Sequence, residues 1–158
     1  MAQVTLTTDA KNFQFAQFTG SASAPNRITT TTKPVSATGS TVFGSSLNYL
    51  KFKIYSSTNS AAQAIQIFGW NYIPGLNAYV PQLLAHVTAS VSNATQTLSG
   101  ATVYEFSSWT LVQGDAKLFN GVTTTTPGGF ILVDTLGCEY IEVYGNAANT
   151  YYVLYAGL

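Results

Sequence analysis

Apolar and polar residues alternate with a period of two along most of this 158-residue chain. Val4 and Leu6 alternate with Thr5 and Thr7, and Phe13 and Phe15 flank Gln14. Leu50, Phe52 and Ile54 alternate with Lys51, Lys53 and Tyr55, and Ile65 and Ile67 flank Gln66. Ala85, Val87, Ala89 and Val91 alternate with His86, Thr88, Ser90 and Ser92. Near the end, Glu139, Ile141 and Val143 oppose Tyr140, Glu142 and Tyr144, while Tyr151, Val153 and Tyr155 oppose Tyr152 and Leu154. Successive side chains of a strand point to opposite faces, so this pattern describes strands buried on one side. The β-branched and aromatic residues that fill it fit a pleated surface.

Turn residues punctuate the runs: Thr19-Gly20-Ser21, Ser57-Thr58-Asn59-Ser60, Pro74-Gly75, Ser99-Gly100, Gln113-Gly114-Asp115, Pro127-Gly128-Gly129 and Gly145-Asn146. One stretch, Pro81 to Val91, also satisfies helical spacing through Leu84, Val87 and Val91, with Pro81 suited to a first helical position. Its Thr and Val content and its clean alternation favour a strand. Many short strands, with no helix large enough to cover a sheet, predict two antiparallel sheets packed face to face. A jelly-roll-like sandwich is the expected architecture, with a closed β-barrel as second choice.

The length fits a single domain over 1–158, large enough to bury a core without disulfides or metal. Within it, the segment from about 20 to 48 is rich in Ser, Thr, Ala, Gly and Pro and includes Thr29-Thr30-Thr31-Thr32. It reads as an extended arm or long loop, lying either along its own sheet edge or along a neighbouring subunit. A second Thr run, Thr123 to Thr126, leads into Pro127 without any repeat period linking the two.

Charged residues make up 8% of the chain against 46% hydrophobic, and six basic residues balance six acidic ones. A soluble domain ordinarily carries roughly a quarter Asp, Glu, Lys and Arg. Nucleic-acid binding, which needs clustered Lys and Arg, is not expected; Lys51 and Lys53 form the only local basic pair. A neutral polar skin lacks the self-repulsion that keeps free proteins apart, and favours association.

Chemistry is equally thin. His86, the single histidine, has no acid near it in sequence, and Asp9, Glu105, Asp115, Asp134, Glu139 and Glu142 are scattered. Glu139 and Glu142 fall on opposite sides of a strand and cannot work as a close pair. Neither Cys/His metal spacing nor a phosphate loop is present, so no catalytic residue, metal or cofactor is expected and the chain reads as a non-enzyme. Cys138 is the only cysteine, which rules out an intrachain disulfide and reads as a buried small hydrophobe. Asn93-Ala94-Thr95 matches the glycosylation sequon by chance. The N-terminus shows no signal peptide and no apolar stretch reaches membrane-spanning length, so synthesis in a cytoplasm and no membrane partner are expected.

Aromatic residues are the richest remaining feature. Phe68-Gly69-Trp70-Asn71-Tyr72-Ile73-Pro74 is dense, and Tyr140, Tyr144, Tyr151, Tyr152 and Tyr155 crowd the C-terminal strands. Trp70, Asn71, Tyr72 and Tyr79 are the candidate contact residues, for a subunit interface or for stacking on a glycan.

The opening Met1-Ala2-Gln3-Val4-Thr5-Leu6, the Thr/Ser/Ala-rich middle, and the ending Gly137-Cys138-Glu139-Tyr140-Ile141-Glu142-Val143-Tyr144-Gly145-Asn146 through Tyr151-Tyr152-Val153-Leu154-Tyr155-Ala156-Gly157-Leu158 resemble small virion accessory proteins of tailed bacteriophages. The resemblance implies a β-sandwich decoration or cement protein of the capsid exterior, working as a homo-oligomer, commonly a trimer, against the major capsid or other virion proteins. It implies a virion location after synthesis in the host cytoplasm. The alternative expectation is a carbohydrate-binding or host-adhesion module using the region of Trp70, Asn71 and Tyr72.

Overall fold

The computed structural model describes residues 13–23, 27–58, 63–120 and 129–157, without the side chains of 90–94 and 107. Val4, Leu6 and Asp9, the second Thr run and Pro127-Gly128 lie outside the described residues, as do the side chains of Val91 and Asn93. Among the described residues there are ten strands: β1 (Gln14–Thr19), β2 (Ser40–Gly44), β3 (Tyr49–Ser56), β4 (Gln63–Ile73), β5 (Ala78–Leu98), β6 (Ala101–Gly114), β7 (Lys117–Phe119), β8 (Phe130–Asp134), β9 (Tyr140–Gly145) and β10 (Thr150–Gly157). Pro81 to Val91 is strand throughout, within β5. The Pro74–Leu76 turn is a single 3-10 turn between β4 and β5.

Every pairing is antiparallel, and the strands form two layers that do not close into a barrel. The front layer runs β1-β10-β3-β8 with β7 at its edge, and the back layer runs β2-β9-β4-β5 with β6 added beyond β5. Four strands per layer in this crossed order, each layer drawing alternately on early and late segments, make a jelly roll. The layers are joined at one corner, where Tyr55 and Ser56 of β3 pair with Glu105 and Tyr104 of β6, while Tyr49–Phe52 of the same strand pair with β8.

Alternation sets what each layer buries. Leu50, Phe52 and Ile54 of β3, Ile131 and Val133 of β8, and Tyr151 and Val153 of β10 face Ile65 and Ile67 of β4, Val87 of β5, and Ile141 and Val143 of β9. Removing such a side chain from water contributes about 1.5–3 kcal/mol each. Phe106 and Trp109 of β6 extend this core, their rings edge to face at 5.3 Å.

Strands β5 and β6 form a long hairpin closed by Ser99 (φ 51°) and Gly100 (φ 79°), the left-handed pair that a two-residue hairpin turn requires. Its far end folds over the front layer. There Val103, Leu98 and Ala101 cover the outward-facing Tyr55, Tyr152 and Leu154, making a second, smaller apolar cluster.

Candidate interaction surfaces

The outer face of the back layer is aromatic. Phe68, Trp70 and Tyr72 of β4 stand opposite Glu142 and Tyr140 of β9 and Tyr79 of β5. Residues 27–33, within the Ser/Thr-rich segment, lie across this face, and 40–44 form β2. Arg27 fastens the crossing. Its Nε donates to Glu142 Oε1 at 2.7 Å, and its guanidinium lies 3.8 Å from the Phe68 ring centre and 5.0 Å from that of Tyr144. Both members of the ion pair are almost wholly buried. Thr30 then exchanges backbone hydrogen bonds of 3.0 and 2.7 Å with Tyr79, filling the open edge at the start of β5. Lys33 sits 5.1 Å over the Tyr140 ring.

The four residues selected from sequence separate in space. Tyr72 and Tyr79 are cross-strand partners with ring centres 5.1 Å apart, and Tyr79 meets Tyr140 at 5.9 Å. The Tyr72 hydroxyl donates to Asn77 Oδ1 at 2.5 Å. Trp70 shares their face but is only 6% exposed, so its ring is not offered for stacking. Asn71, adjacent in the strand, points the other way. Its amide donates to the Gly137 carbonyl at 3.0 Å, and its carbonyl accepts from the Cys138 thiol at 3.2 Å. Gln82 Nε2 in turn donates to Cys138 Sγ at 3.1 Å. Burial pushes the Cys138 thiol above its usual pKa, against the opposing effect of the Gln82 hydrogen bond, so the sulfur is a packed and weakly nucleophilic group.

Beyond the part that the hairpin covers, the front layer also presents aromatic residues outward, and nothing described lies across these. Phe13 and Phe15 beside β10, Tyr49 of β3 and Phe119 of β7 are between 36% and 48% exposed. Phe15 stacks on Tyr152, and Phe119 stacks on Phe130 with centres 4.2 Å apart. Lysines are threaded between the rings: Lys51 lies 5.2 Å over Phe13 and Lys117 lies 5.3 Å over Phe119. Lys51 and Lys53 do share one strand face, but Lys53 reaches back under the hairpin to Glu105 at 3.0 Å. Burial alone would lower the Lys53 pKa; the hydrogen bond to Glu105, together with the Tyr55 phenol and the Glu105 charge, outweighs it and holds the ammonium above its ordinary value. Burial, and then the same carboxylate, push the Tyr55 phenol up.

His86 lies on the outer face of the back layer between Gln66 and Gln113, with no acidic partner among the described residues. Asp115 and Asp134 line one shallow groove with Tyr49 and Lys117, while Glu139 sits in a turn and Glu142 is committed to Arg27. Among the described residues no three of the His, Cys, Asp and Glu side chains come together as metal ligands. No described helix is long and apolar enough to cross a membrane.

Comparison with protein-family models, with curated proteins and with solved structures found no match to this chain.

Proposed function

We propose that the protein is a non-enzymatic structural subunit of a virus particle, a decoration or cement protein that binds the shell through protein–protein contacts. The observation that carries this reading is the front face, where Phe13, Phe15, Tyr49 and Phe119 stand exposed on a rigid sheet beside Lys51 and Lys117. Exposed aromatic side chains on rigid backbone are the material of protein interfaces. Jelly rolls are a recurrent scaffold of viral shells, an analogy of fold alone. With zero net charge, contacts of this kind rest on apolar burial and amide or hydroxyl hydrogen bonds, and depend weakly on salt. The front face joins copies of the chain into a homo-oligomer. Mass spectrometry of particles purified from the virus that encodes the chain should find it in stoichiometric amount, and its absence would sink the reading.

A second reading, a carbohydrate-binding module, draws on the Tyr72, Tyr79 and Tyr140 rings with Asn77 and Lys33 beside them. Tyr79→Ala separates the two: loss of glycan binding with folding intact favours adhesion, and unchanged association with particles favours the structural role.

A further inference from the structure

Three connections lie at one end of the jelly roll: loop 45–48 between β2 and β3, turn 74–77 between β4 and β5, and turn 135–138 between β8 and β9. The first and the third are tied together by hydrogen bonds. Thr135, itself buried, donates its hydroxyl to the Leu47 carbonyl at 2.7 Å and its amide to the Asn48 carbonyl at 2.9 Å. From the other side, Asn71 at the end of β4 holds the Gly137 carbonyl. The Cys138 amide closes the turn onto Thr135, and the Leu136 amide is held by Asp134 Oδ1 at 2.8 Å.

This braced end exposes aliphatic side chains: Leu47 at 38%, Ile73 at 37%, Leu76 at 65% and Leu136 at 64%. Leu136 is the telling one. Its backbone is left-handed, with φ 51°, followed by Gly137 at 74°. Gly, Asn and Asp suit such positions, whereas a leucine there strains the backbone and also exposes an apolar side chain to water. Neither effect helps the isolated fold. A leucine held rigidly outward has the properties of an interface anchor, because its ordering cost is met before binding.

The charges nearby indicate what it meets. Asp134 and Asp115 line the groove next to the turn, and Glu139 lines the cleft shared with Leu47 and Gly137. Lys117 is the only cation among the residues lining these two depressions, so three carboxylates face one ammonium in a chain whose net charge is zero. Such an end repels an anionic lipid surface and complements a protein surface carrying Lys or Arg.

We infer that this end, with Leu136 and Leu76 as anchors, is the docking surface for a shell protein that offers an apolar recess rimmed by basic residues. The inference rests on the structural role proposed above and assigns the shell contact to this end, leaving the front face to contacts between copies.

The test adds the full chain to particles lacking it and measures binding of wild type, Leu136→Asn, Leu76→Ser and Glu139→Lys. Asparagine suits the left-handed position, so Leu136→Asn should keep or raise the melting temperature while weakening particle binding at least tenfold. Leu76→Ser should weaken it several-fold, and Glu139→Lys, which brings the end to two carboxylates and two ammonium groups, should weaken it and largely remove its salt dependence. Wild-type binding that all three variants retain would overturn the docking end while leaving the virion role standing. A wild type that neither binds particles nor occurs in them would overturn both. Binding to phosphatidylcholine vesicles that Leu136→Asn abolishes would reassign the end to lipid and overturn the inference.

Discussion

On the back layer, residues 27–33 cross over Phe68, Tyr140 and Tyr144; on the front layer, Phe13, Phe15, Tyr49 and Phe119 face solvent. Both outer faces come from the same alternation of aromatic with polar residues, yet the first is crossed by a segment of its own chain and the second is covered only where the hairpin reaches it. The covering segment needs a polar anchor, and it has one in Arg27–Glu142. Where the hairpin covers part of the front face, Lys53–Glu105 plays the same part. Four of the twelve charged side chains are thus committed to fastening chain to chain, three of them almost wholly buried and Lys53 partly exposed. The remainder of the front face has no such cover among the described residues.

The largest expected effect is loss of the back anchor. Arg27→Ala leaves the Glu142 carboxylate buried without its ion pair and should cost about 3–5 kcal/mol. A lower urea midpoint, with faster amide exchange at Thr30 and Tyr79, would show that the crossing had been released. An unchanged midpoint would mean that backbone contacts alone hold it.

Alkaline titration comes next. Burial pushes the Tyr151 phenol up to about 12, and raises Tyr144 beneath the crossing segment against the opposing charge of Arg27. Burial raises Tyr155 as well. A group whose folded pKa is raised contributes stability that is complete below its unfolded value and is lost as pH rises through the folded one. Stability should therefore hold to about pH 10 and fall between about pH 10 and 12, by about 2 kcal/mol from Tyr151. Chemical denaturation across that range reads the slope, and a flat profile would contradict the burial of these phenols.

A smaller effect contrasts the two members of the front pair. Lys53→Ala deprives a buried carboxylate of its cation, whereas Glu105→Ala leaves a partly exposed ammonium that can turn to water. The first should cost more than the second by about 1 kcal/mol. Equal costs would mean that Lys53 is as confined as Glu105.

Smallest in stability is Phe15→Ser, at about 0.5 kcal/mol, since the ring is nearly half exposed. Its effect should appear in sedimentation instead, as a shift toward monomer. Unchanged self-association would remove the front face from any interface between copies.

The layers were legible in the sequence because alternation is a local property. Ile141 and Val143 face the core and Tyr140, Glu142 and Tyr144 face outward, as their spacing predicts. The same rule separates Asn71 from Trp70 and Tyr72, although the dense aromatic string reads as one patch. What alternation cannot supply is which strands are neighbours. Arg27 and Glu142 are 115 positions apart in sequence, and they meet only because β9 lies between β2 and β4. The burial of Trp70 and the grouping of Phe13 and Phe15 with Tyr49 depend on strand order in the same way. Leu136 left a faint signal, a leucine beside glycine in a short turn, where a polar residue would be usual.

Strand β10 sits between β1 and β3 in the front layer, although it is the last strand of those described. During synthesis, then, β1 and β3 emerge with the slot between them empty. Each waits with an unpaired backbone edge and an uncovered apolar side until Thr150–Gly157 has left the ribosome. The layer cannot close before β10 is available to both edges. Until then the chain is open to pairing with another unfinished copy, which makes the yield of folded protein sensitive to how fast it is made.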